Sequence, residues 1–171
     1  MEELLDIFTR DGKYLGYNTR SFCHQDGVDV YHKCVFVWFI NSNNEILVSK
    51  RNINKKQYPG KWQMAVAGHV DKDESALITA IRETKEEIGI DINEDEISYL
   101  REWIIDEQRE LAQIYLVNKD ISIEDIKIEK EEFDEIKWLE YNEFVKLFYS
   151  DEFCEYEDKG YKDYMVKVLK G

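Results

Sequence analysis

The chain has 171 residues, 37 acidic and 23 basic, and a net charge of −14. That balance argues against a broad nucleic-acid surface, because a phosphate backbone needs clustered Lys and Arg. It leaves room for a small anionic substrate, since a bound cation and a few local basic groups reverse the field inside a cleft.

The length fits one domain, and 43% hydrophobic and 13% aromatic residues supply a globular core. Cys23, Cys34 and Cys154 lack metal-type spacing. With no secretory leader in Met1-Glu-Glu-Leu-Leu-Asp, this reads as reduced thiols in a cytoplasmic protein. The longest apolar run, residues 34–40, is too short to cross a bilayer, so no membrane partner is expected.

Asp11-Gly12 between Ile7-Phe8 and Tyr14-Leu15 predicts an N-terminal hairpin, at about residues 5–20. The β-branched and aromatic run 34–40 predicts a buried strand, and residues 45–49 return after a turn at 41–44. A lysine-rich loop reaches Pro59-Gly60, and residues 62–66 predict a short strand. A helix is expected from near Asp73, as N-cap, to just before Gly89, a natural left-handed stop. Leu77, Ala80, Ile81, Thr84 and Ile88 fall on one side of it, with Glu83, Glu86 and Glu87 beside them. Further strands are predicted at 97–105, 112–117 and 135–139, and amphipathic helices at 141–149 and about 156–170. Strands mixed with a few helices imply a layered α/β domain.

Glu83, Glu86 and Glu87 stand at i, i+3 and i+4, so their carboxylates are neighbours on one helix face. Such crowding is repulsive unless something positive sits among the oxygens. Hard oxygen ligands favour Mg²⁺, Mn²⁺ or Ca²⁺.

Gly68, Glu74, Arg82, Glu83, Glu86, Glu87, Gly89 and Ile90 follow one another at the spacing of the Nudix box, and the segment 68–90 resembles it closely. Thr84 departs from the pattern, where an aliphatic residue is usual. The resemblance implies a single domain over residues 1–171 with an α/β/α sandwich around a mixed sheet. It also implies hydrolysis of a small-molecule diphosphate, with Mg²⁺ (or Mn²⁺) held by Glu83, Glu86 and Glu87 and by the carbonyl of Gly68. Arg82 and Glu74 would orient those carboxylates, and Gly89 would support the helix end. An acid outside the box is expected near Glu135, with Glu131, Glu132 and Asp134 as competitors.

The likeness extends over residues 5–148 to a subgroup similar to isopentenyl diphosphate isomerase. His32 and His69 match histidines of that enzyme, two of which help bind a metal, and both are taken as substrate-binding candidates together with Arg51 at a strand end. The isomerase has a cysteine where this chain has Ala67, which cannot transfer a proton. Hydrolysis is therefore expected over isomerisation, with a non-catalytic ligand sensor as a third reading. Trp62, Trp103, Tyr115 and Phe133 either stack on a substrate or fill the core. The C-terminal segment, with Tyr156, Tyr161 and Tyr164, either covers the sheet or forms a partner surface, so a homodimer stays open.

Overall fold

The computed structural model describes residues 1–155 and 159–171. Strands β1 (Leu4–Phe8) and β2 (Tyr14–Thr19) form the expected hairpin and lead into a single-turn helix, α1 (Arg20–Cys23), which the sequence reading missed. Strand β3 (Tyr31–Ile40) is the axis of the molecule. It runs parallel to β8 (Glu110–Asn118) along one edge. Its other edge pairs in turn with β1, with β6 (Val66–His69) and with β4 (Glu45–Arg51). Strand β4 meets β3 only at Ile46 opposite Ile40, then diverges to pair with β5 (Trp62–Met64) and β9 (Phe133–Glu140). Strand β7 (Ile97–Ile105) closes the far edge against β8.

The expected strand at 62–66 is two strands. Ala65 breaks it, and the chain leaves β4 for β3 at that point. This crossing carries Ala67, Gly68 and His69 onto the sheet's central strand.

Both faces of β3 are buried, which explains its unbroken apolar run. Val35, Val37 and Phe39 pack with Ala80 and Ile88 of α2 (Ala76–Ile88). Cys34, Phe36 and Trp38 pack with Phe144 and Phe148 of α3 (Tyr141–Phe148) and with Tyr161 and Met165 of α4 (Lys159–Val168). The protein is thus an α/β/α arrangement around a mixed sheet. The expected helix start at residues 156–158 lies outside the described residues. Tyr161 donates no surface: its ring is buried and its hydroxyl accepts from Trp38 Nε1 at 3.1 Å.

The expected N-cap is corrected. Ser75 caps α2, its hydroxyl accepting from Ile78 N, while Asp73 lies in a left-handed turn at φ 63°. Trp62, Tyr115 and Phe133 are core residues, and Trp103 packs on Tyr161. Among the described residues no helix is long and apolar enough to cross a membrane.

Candidate active site

Helix α2 sets the carboxylates, and Gly89 ends it in the left-handed conformation with its N–H donating to Lys85 O. The Arg82 guanidinium is the hub. Its Nη1 donates to Glu83 Oε1 at 2.9 Å and to Glu86 Oε2 at 3.0 Å. Its Nη2 and Nε reach Glu74 at 3.0 and 3.2 Å, and Nη2 approaches Asp71 at 3.4 Å. Glu74 also accepts from Thr79 Oγ1 at 2.6 Å. Arg82 therefore holds Glu74 below its ordinary pKa and ties Glu83 and Glu86 into fixed positions. Thr84 is buried on the packing side, where its hydroxyl donates to Ala80 O at 2.7 Å.

Strand β6 forms the opposing wall. A Cβ on Gly68 would fall 2.5 Å from Glu83 Cδ, so only glycine lets that side chain lie against the strand. Glu87 is 7% exposed, and among the described residues the one bond to its carboxylate is a long one from Ala67 N, at 3.4 Å. Burial, and then the like charge of Glu83, push Glu87 well above the usual carboxylate range. Burial also raises Glu83. Leaving a carboxylate buried with so few bonds beside a second one is costly, and a cation between them would offset that cost. The donor set, all oxygen, fits a hard divalent ion. Glu86 is the most exposed of the three, at 57% of its side chain.

Glu83, Glu87 and Arg82, but not Glu74 or Glu86, line a cavity of about 360 Å³. Gly68, His69 and Arg51 line it as well, together with the less polar residues Ala67, Phe36, Cys34 and Cys154. Lys55 lines it too, paired with Glu132 at 2.6 Å. The segment before β9 docks on the end of α2, Lys127 N donating to Ile88 O and Glu129 N to Glu87 O. This brings Glu132 to the cavity wall, close enough to raise Glu87. Glu135 is not among the cavity-lining residues; it sits exposed on β9 opposite Lys50.

The histidines come together, with one that the sequence reading missed. His24, at the end of α1, joins His32 and His69, and the potential ligand atoms of the three lie within 4.8 Å of one another. Strand register makes the rest of the cluster: Cys34 pairs with His69, and His32 with Glu110. Glu110 Oε1 is 3.6 Å from His32 Nε2 and 3.7 Å from His69 Nε2. Both ring nitrogens of His32 and Nε2 of His24 are buried without hydrogen-bond partners among the described residues. Burial alone would raise Glu110, but the facing imidazoles outweigh it and hold the carboxyl well below its ordinary range. Nitrogen donors with one carboxylate suit a borderline transition ion better than Mg²⁺. His32 is fully buried, while His69 reaches the cavity. No local spacing marks His24; only the packing of α1 against the strands reveals it.

The chain is similar to several known proteins. It is 30% identical over 177 residues to Nudix hydrolase 3 of Arabidopsis thaliana, covering 96% of this chain but spanning only 22% of that protein. It is 33% identical over 63 residues to the isopentenyl-diphosphate Delta-isomerase of Salmonella paratyphi B, 37% of this chain and 35% of that one. A crystal structure from Deinococcus radiodurans superposes with a TM-score of 0.74 at 16% identity, covering 98% of both chains, which shows a shared fold. The NUDIX domain model matches residues 30–157. The chain therefore belongs to the NUDIX domain family.

Proposed function

We propose that the protein hydrolyses a diphosphate linkage in a small molecule, using a divalent cation, Mg²⁺ or Mn²⁺, held by Glu83, Glu86, Glu87 and the carbonyl of Gly68. The observation that carries this reading is the Glu83–Glu87 pair, two acids withdrawn from water on one wall of a cavity whose other walls hold Arg51 and Lys55. Bound there, the ion supplies neutralisation of phosphate charge and a water of lowered pKa. Arg82 and Glu74 fix the carboxylates, and Gly68 leaves room for Glu83. Arg51 binds substrate phosphate oxygens, with His69 beside the diphosphate. Glu132 is placed better than Glu135 to accept a proton from the attacking water, because it faces the same cavity as Glu87.

Ala67 supports hydrolysis over isomerisation: it lines the cavity, and the resemblance puts the isomerase's cysteine at this position. The test is Mg²⁺-dependent phosphate or phosphoester release from nucleotide sugars, dinucleotides, nucleoside triphosphates, coenzyme A and isopentenyl diphosphate. Glu86→Gln and Glu87→Gln are expected to lower kcat by about 10²-fold or more while the proteins stay folded. Near-wild-type rates in both variants, or conversion of isopentenyl to dimethylallyl diphosphate at enzyme-like rates, refute the reading.

A further inference from the structure

Three of the four cationic side chains on the cavity wall are neutralised by carboxylates. Arg20 pairs with Glu3 at 3.0 Å, Lys55 with Glu132 at 2.6 Å and Arg82 with Glu74 at 3.0 Å. Arg51 has no such partner among the described residues. Its Nε donates to Gln57 O at 3.0 Å and its Nη1 to Gln63 Oε1 at 2.9 Å. The second of these bonds has a consequence for Gln63. A guanidinium only donates, so the carboxamide oxygen must face Arg51 and the amide nitrogen must face away.

Gln63 is 3% exposed and lines the cavity. Its Nε2 makes no hydrogen bond among the described residues, yet it is not one of the buried polar atoms lacking a partner. The remaining space beside it is the cavity. Two N–H donors, held in one orientation by Arg51, therefore open onto the substrate's volume.

From this arrangement we infer that Gln63 is a specificity-determining residue: its carboxamide donates to an oxygen acceptor on the group attached to the diphosphate. It thereby selects nucleoside- or sugar-linked substrates against prenyl diphosphates. The inference rests on the diphosphate-hydrolase reading and deepens it. A hydrocarbon chain seated beside Gln63 strips water from the two donors and returns nothing, whereas a ribose, sugar or base oxygen replaces the lost bond. Sites built to donate to a substrate oxygen reject analogues that lack it more strongly than apolar pockets reject an added polar group.

The test measures kcat/KM with Mg²⁺ for uridine diphosphate glucose, ADP-ribose, dimethylallyl diphosphate and geranyl diphosphate. The proteins are wild type, Gln63→Glu and Gln63→Met. The glutamate keeps an acceptor for Arg51 but has no N–H; the methionine keeps the volume without charge. Any general loss from the new charge or from altered folding affects all substrates and cancels in the ratio of polar to prenyl substrate. That ratio is expected to favour the polar substrates in wild type and to fall about tenfold or more in both variants. A wild-type preference for prenyl diphosphates, or a ratio within about twofold of wild type in both variants, overturns the inference. If no compound is turned over, the hydrolase reading fails, and calorimetric affinities of the same four compounds give the same ratio. Wild type binding none of them overturns the inference as well.

Discussion

Gly68→Ala isolates the geometry of the proposed centre. The backbone there needs no left-handed conformation, so alanine adds one methyl group and no backbone strain. That methyl carbon would lie 2.5 Å from Glu83 Cδ, 2.6 Å from Cγ and 2.7 Å from Oε1. Ordinary contact begins at about 3.4 Å, so Glu83 must retreat by about 0.9 Å. Its carboxylate is not a free end, because Arg82 Nη1 holds it at 2.9 Å and shares the same nitrogen with Glu86. The displacement therefore spreads to Arg82 and Glu86. A misplacement of about 1 Å at a reacting centre costs about 10²-fold in rate, and overpacking costs about 1–3 kcal/mol in stability. For a chain of this size the second effect lowers Tm by about 2–12 °C. The assay pairs thermal unfolding with kcat/KM at saturating Mn²⁺ and with Mn²⁺ affinity by calorimetry. Wild-type kcat/KM together with wild-type Mn²⁺ affinity would refute the argument that Gly68 exists to seat Glu83.

Other outcomes follow from the same structure. Thr84→Val places an aliphatic side chain at a buried position and removes a hydroxyl that, among the described residues, bonds only within its own helix, so activity stays within about twofold and stability within about 1 kcal/mol; a loss above tenfold in kcat would show that the hydroxyl serves the site. Burial, with the neighbouring His32 and His69 adding to it, pushes His24 down to about 4. Between its ordinary 6.5 and about 4 the unfolded chain binds a proton that the folded chain refuses, so urea stability of the metal-free protein falls as pH drops through that window. His24→Gln flattens this slope, and parallel curves for the two proteins would contradict it. Met165→Ala empties a fully buried position between α4 and the sheet, and is expected to cost about 2–5 kcal/mol, read as a drop in the urea midpoint with unchanged kcat. An unchanged midpoint would mean that α4 adds nothing to the fold.

Local sequence determined the parts whose cause is local. The spacing of Glu83, Glu86 and Glu87, the stop at Gly89 and the two-sided apolar run of β3 follow from helical period, glycine's left-handed freedom and burial on both faces. The N-cap is not decided by residue type, because Asp73 and Ser75 are both good caps, and it is the turn at Asp73 that leaves Ser75 facing Ile78 N. What depended on distant strands was not legible. The break at Ala65 arises because the chain changes partner from β4 to β3. Glu132 reaches the cavity because its segment docks on the end of α2, and no spacing along the chain distinguishes it from Glu135. His32, His69 and Glu110 meet through strand register and His24 joins them from the end of α1, while Gln63 acquires its orientation from Arg51, twelve residues away. A one-dimensional pattern encodes which side chains share a helix face. Which faces meet across a cavity is decided by pairing between segments far apart in sequence, where the energy of burial is shared by many residues and signalled by none of them alone.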